Sequence, residues 1–115
     1  MRFPAALLIA AAALPARAAD VFPLLFTGTI SDSECGLSHD IMKKKHRLPN
    51  DRTCTLVCCD KYRQDFVLAD HVSGDVYQLD AQKTVRPFAH RLVRVLGTLA
   101  SDSGTIHVIR VEPIR

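Results

Sequence analysis

All four cysteines of this 115-residue chain, Cys35, Cys54, Cys58 and Cys59, fall in one stretch between Asp32 and Arg63. On either side of that stretch, apolar and polar positions alternate with the two-residue period of strands. The chain must therefore fold as a β framework that carries a cysteine-rich insert. The insert also holds His39, His46 and the densest charge run, Lys43-Lys44-Lys45-His46-Arg47.

The framework reads as five strands. Leu24–Ser31 is rich in apolar and β-branched residues, and its interior Gly28 predicts a bend or bulge. Gln64–Asp70 and Val76–Leu79 flank the turn Val72-Ser73-Gly74-Asp75. Asp80–Ala89 is polar and contains Pro87, so it is expected to form a short helical turn or coil. His90–Leu99 and Thr105–Val111 are paired strands around Ser101-Asp102-Ser103-Gly104, with Pro113 ending the second. Period-two positions share a face, which places Val93, Val95 and Leu99 in the core with Ile30, Phe66 and Ile106. Phe26 and Tyr77 are expected there too.

Within the insert the spacing predicts two helices, Glu34–Lys45 and Thr53–Tyr62, joined by a turn at Pro49-Asn50-Asp51. Asp32 or Ser33 would cap the first, and Asp51 or Thr53 the second. The expected fold is mainly β: a small five-stranded barrel of the OB type, with a short helical Cys/His insert (residues 32–63) between strands 1 and 2 and a small helical connector before strand 4.

The N-terminus carries a different signal. Met1-Arg2 is basic, Phe3–Leu14 is apolar, and Ala16-Arg17-Ala18 has the small-x-small pattern of a signal-peptidase site. The apolar run is about a dozen residues, too short for a span that needs roughly 20. Residues 1–18 are therefore expected to be a cleaved signal peptide, residues 19–115 a single exported domain, periplasmic or extracellular. The whole chain has 15 Lys+Arg against 12 Asp+Glu. Losing Arg2 and Arg17 leaves the mature domain close to neutral, without the excess of cations that general nucleic-acid binding requires. Lys43–Arg47 forms a weak basic patch, read as a solvated helix end. His71, His90 and His107 stand alone and are read as surface residues. No second apolar stretch is long enough for a transmembrane segment.

The run from Gly28 through Asp32 to Cys35-Gly36-Leu37-Ser38-His39 forms G-x-I-x-D followed by C-G-x-x-H. It is followed by Cys54-Thr55-Leu56-Val57-Cys58, by Val93-Arg94-Val95-Leu96-Gly97-Thr98-Leu99, and by Thr105-Ile106-His107-Val108. In this order the parts resemble an uncharacterised family of small exported bacterial proteins. The resemblance implies an OB-type barrel and carries no activity with it. The chain departs from the pattern in adding Cys59 and the Lys43–Arg47 run.

Two readings of the insert remain open. Outside the cytoplasm thiols oxidise, so a disulfide joining Cys35 to Cys54 or Cys58 would pin the insert to the first strand. The chain is then a non-enzymatic binding or envelope-associated domain. Alternatively, on helices, Cys35 and His39 share one face, and Cys54 and Cys58 another. Facing each other, they form a Cys3His set suited to zinc or copper, with Asp32 or Asp40 orienting His39. Cys59 is an extra thiol, expected to point away from Cys58. Catalysis by a thiol is the least supported reading: the insert lacks a Gly-rich oxyanion turn, and Cys, His and Asp occur together often.

Overall fold

The computed structural model describes residues 22–115, together with Arg2 and Ala5. The expected cleavage site lies outside the described residues. Among the described residues, no helix is long and apolar enough to cross a membrane.

The fold is mainly β. In order the elements are β1 (Leu24–Asp32), α1 (Asp40–His46), α2 (Asp51–Asp60), β2 (Phe66–Ala69), β3 (Val76–Leu79), α3 (Gln82–Val85), a 3-10 turn at Arg86–Phe88, β4 (Leu92–Ala100) and β5 (Thr105–Pro113). Each strand is hydrogen-bonded to two others, closing a ring in the order β1-β2-β3-β5-β4. All pairings are antiparallel except β3 with β5, a short parallel seam of Gln78↔Thr105 and Leu79↔Ile106.

β1 makes this ring possible by serving two partners. Its first part pairs with β4, from Leu24↔Gly97 to Thr29↔Leu92, and its second with β2, from Thr29↔Ala69 to Asp32↔Phe66. Gly28 sits at the changeover. A Cβ there would lie 2.6 Å from the Ala69 carbonyl oxygen, so only glycine lets the strands approach this closely. The glycine thus marks a close approach between strands, and β1 itself pairs with β4 and β2 without a register shift. The bulge itself lies elsewhere, where the β4–β5 register shifts between Leu96 and Gly97.

Ile30, Phe66, Leu68, Leu79, Val85, Ala89, Val93, Val95 and Ile106 form the buried core. Phe26, Tyr77 and Leu99 pack against it half-buried, the first two edge to face at 5.3 Å. Val85 comes from α3, so the connector supplies a core side chain. Gln82, also on α3, clamps two strands: its Oε1 accepts from Phe66 N at 2.7 Å, and its Nε2 donates to Phe66 O and Leu79 O.

Both insert helices differ from the expected bounds. Residues 34–37 are turn, not helix. Asp32 Oδ1 accepts from Glu34 N at 3.1 Å and Cys35 N at 2.9 Å, and Gly36 adopts φ +57°, outside the right-handed helical region. α1 therefore starts only at Asp40. α2 starts earlier than expected because Asn50, not Asp51 or Thr53, is its cap, accepting from Thr53 N at 2.8 Å. Arg52 Nη1 donates to Ala89 O at 2.6 Å and ties the start of α2 to the segment before β4.

Candidate metal centre

The end of β1 and the buried face of α2 converge on one cluster. Asp32, Cys54 and Cys58 are fully buried, His39 is 5% exposed, and Cys35 is half-buried at the rim. Cys54 and Cys58 lie one helical turn apart and both point inward, as their spacing predicts. Cys35 and His39 arrive differently from the expectation. They belong to a turn and not to one helix face: the Asp32 turn raises Cys35, and His39 immediately precedes α1.

The donor atoms of Cys35, His39 and Cys54 lie within 4.8 Å of one another, as do those of Asp32, Cys35 and Cys58. Cys35 joins the two groups. Each group could hold a metal ion. The Cys35 and Cys54 sulfurs are 3.9 Å apart. A tetrahedral ion with bonds of about 2.3 Å to sulfur spaces its sulfurs about 3.8 Å apart, whereas a disulfide bond is about 2.0 Å long. All four cysteines are free thiols here. The two sulfurs are in contact and not in a closed bridge, at a spacing that a shared tetrahedral ion could accept.

The imidazole of His39 lies between the side chains of two consecutive β1 residues. Its Nε2 is 3.2 Å from Ser31 Oγ, and its Nδ1 is 3.5 Å from Asp32 Oδ2. The Ser31 hydroxyl has one proton, and it donates to Gly36 O at 2.7 Å. With that proton used, the hydroxyl offers His39 only its lone pairs, an arrangement that matches a ring carrying its proton on Nε2. Burial lowers the His39 pKa, against the opposing pull of Asp32 and Asp51, and favours the neutral ring. The Nδ1 lone pair then faces a carboxylate oxygen. Although 3.5 Å is an ion-pair distance, Asp32 Oδ2 and His39 Nδ1 are both buried without a hydrogen-bond partner. Two buried acceptors face each other with no donor between them, a costly arrangement that a cation would relieve.

The thiols share this environment. Burial first, and the Asp32 charge second, push Cys35 far up and Cys58 up to about 12. Cys54 is raised as well, again by burial, although contacts with the other two sulfurs oppose the shift. Such thiols are poor nucleophiles without a cation to stabilise the thiolate.

Asp32, and not Asp40, is the carboxylate at His39; the Asp40 side chain is 87% exposed and lies 3.8 Å from Lys43 Nζ. Cys59 turns away from Cys58 and packs against the core. Lys43 pairs with Asp51, and Tyr62 OH lies 3.2 Å from His46 Nδ1, while Lys44, Lys45 and Arg47 face solvent. His90 is more than a surface residue. Its ring meets that of His39 edge-on at 5.7 Å, and its Nε2 is 3.5 Å from Asp51 Oδ2. Together with Thr29, Ser38 and His71, these residues line a polar cleft of about 210 Å³ beside the centre. Sequence reasoning missed Ser31 and His90. The alternation of β1 marked Ser31 only as a strand residue, and His90 reaches the site because Ala89 bridges to Ile30.

No family model, no curated protein and no solved structure matches the chain.

Proposed function

We propose that this chain is an exported OB-type domain whose function is to hold one soft transition-metal ion, Zn²⁺ or Cu⁺. Cys35, Cys54 and His39 Nδ1 supply three donors, and Cys58 or Asp32 Oδ2 completes the set. The observation that carries this reading is the unpartnered pair of Asp32 Oδ2 and His39 Nδ1, whose residues belong to two donor groups that share Cys35. Thiolate and imidazole donors suit both ions, and the role that follows is metal handling or sensing. The OB assignment is supported by the ring order, by the parallel β3–β5 seam and by a helix between β3 and β4. The N-terminal signal pattern and the family resemblance support export.

The same cluster supports a second form. In an oxidising compartment Cys35 and Cys54, whose sulfurs are 3.9 Å apart, are the pair that closure to about 2.0 Å would join, pinning the insert. An enzyme is the poorer reading. Ser31, His39 and Asp32 stand in the order of a hydrolytic triad, but Ser31 is 1% exposed and donates its proton to Gly36 O.

The test is equilibrium titration of reduced, metal-free protein with Zn²⁺, and separately Cu⁺, against a competing chelator. One equivalent should bind, with His39→Ala weakening it and Cys59→Ser leaving it unchanged. No binding of either ion at micromolar concentration would overturn the proposal.

A further inference from the structure

We infer that Ser31 is a positioning residue that fixes His39 in the Nε2–H form and so presents the Nδ1 lone pair to the metal. The inference rests on the metal reading above and adds a residue that no cysteine or histidine motif contains. It follows from a chain of four hydrogen bonds. Asp32 Oδ1 accepts from Cys35 N at 2.9 Å, and Asp32 O accepts from Gly36 N at 2.8 Å, which together hold the turn that carries Cys35. The Gly36 carbonyl, so fixed, accepts from Ser31 Oγ at 2.7 Å, and Ser31 Oγ lies 3.2 Å from His39 Nε2. Each donor proton in the chain is used once, so donation runs from the His39 ring through Ser31 to the turn.

The consequence is coupling. One hydroxyl ties the turn bearing the Cys35 ligand to the imidazole, so two donors from different parts of the insert are oriented by the same group. A histidine ligand is ordinarily held by a hydrogen bond from its second nitrogen, and loss of that partner weakens metal affinity about 10- to 100-fold. Without the hydroxyl, Nε2–H has no acceptor. The ring would then gain by moving its proton to Nδ1, toward Asp32 Oδ2, where it blocks the lone pair the metal needs.

The experiment has two readouts. Nitrogen-15 NMR of the His39 ring in reduced, metal-free protein should show Nε2–H in the wild type, and an Nδ1–H or mixed population in Ser31→Ala. Zn²⁺ titration of the same samples should show a 10- to 100-fold loss in Ser31→Ala and recovery toward wild type in Ser31→Thr, which keeps the hydroxyl. An Nδ1–H ring in the wild type would overturn the inference and favour the triad arrangement. Wild-type tautomer and affinity in Ser31→Ala would also overturn it. Should Ser31→Ala not fold, the wild-type tautomer and the Ser31→Thr titration still decide. A wild type that is Nε2–H but binds neither Zn²⁺ nor Cu⁺ overturns the metal reading, and the role of Ser31 toward a metal falls with it.

Discussion

Replacing Asp32 by Asn should stabilise the metal-free protein while weakening its hold on metal. The carboxamide keeps Oδ1, which accepts from Glu34 N and Cys35 N, and places an N–H₂ where Oδ2 stood, 3.5 Å from His39 Nδ1. A donor then meets a lone pair where two acceptors now oppose each other. Each buried unsatisfied polar atom costs about 1–3 kcal/mol, and the change relieves two, Asp32 Oδ2 and His39 Nδ1. Against this, the bonds to Glu34 N and Cys35 N lose their ionic character, at roughly 1 kcal/mol each. The net gain is about 2 kcal/mol, equivalent to a rise in Tm on the order of 10 °C for a domain of this size. With metal present the sign reverses. The variant has lost a candidate donor and a charge beside the cation, so the stabilisation that Zn²⁺ produces, read as its rise in Tm, should fall by about 1.4 kcal/mol for each tenfold loss of affinity. Thermal unfolding followed by circular dichroism, in reductant with chelator and then with excess Zn²⁺, reads both effects. If Asp32→Asn melts at or below the wild type without metal and responds to Zn²⁺ as fully as the wild type, the argument from opposed acceptors is wrong.

Four further substitutions separate the site from the scaffold. Cys58→Ser should weaken Zn²⁺ binding at least tenfold, whereas Cys59→Ser, whose side chain packs on the core, should cost about 1 kcal/mol of stability and leave binding unchanged; parallel titration and denaturant melts check both. Gly97→Ala should destabilise by several kcal/mol or prevent folding, because its Cβ would collide with the His107 carbonyl and with Ile106 Cγ2 across the β4–β5 bulge; a shift in urea midpoint below about 1 kcal/mol would disprove the register. Asp80 has its carboxyl held below the usual range by Val108 N–H and then by His107, extending the short β3–β5 seam. A lowered folded pKa contributes stability above the unfolded value, lost as pH falls through the folded one, so Asp80→Asn should flatten the stability profile below about pH 4. Because Asp80 and His107 face solvent, the effect should stay under about 1 kcal/mol, as urea midpoints across acid pH would show.

Much of the framework is legible in the residues. Val76–Leu79 has the bounds its alternation predicts, and Val93, Val95, Ile30, Phe66 and Ile106 are all buried. Strands were readable because period two and turn residues are local signals. The insert was harder because its local signals compete. Cys35 and His39 have helical spacing, yet Asp32 draws the next two backbone N–H groups into a turn and Gly36 leaves the right-handed region. The expected helix ran through Gly36, and the capture of two N–H groups by Asp32 has no signal in the spacing. Asn50 sits inside an evident turn signal that is also a helix cap. Asp32 stood out as a companion of His39, but its full burial depends on α2 folding over the end of β1. His90 reaches His39 through the bridge between Ile30 and Ala89, a pairing that neither segment announces alone.

The most direct test of the account is X-ray absorption at the metal edge of the reduced protein loaded with one equivalent of Zn²⁺. The account predicts a mixed shell of two or three sulfurs at about 2.3 Å with nitrogen or oxygen at about 2.0–2.1 Å, and loss of the histidine scattering in His39→Ala. A shell of oxygen and nitrogen alone, or a spectrum that His39→Ala leaves unchanged, would contradict it.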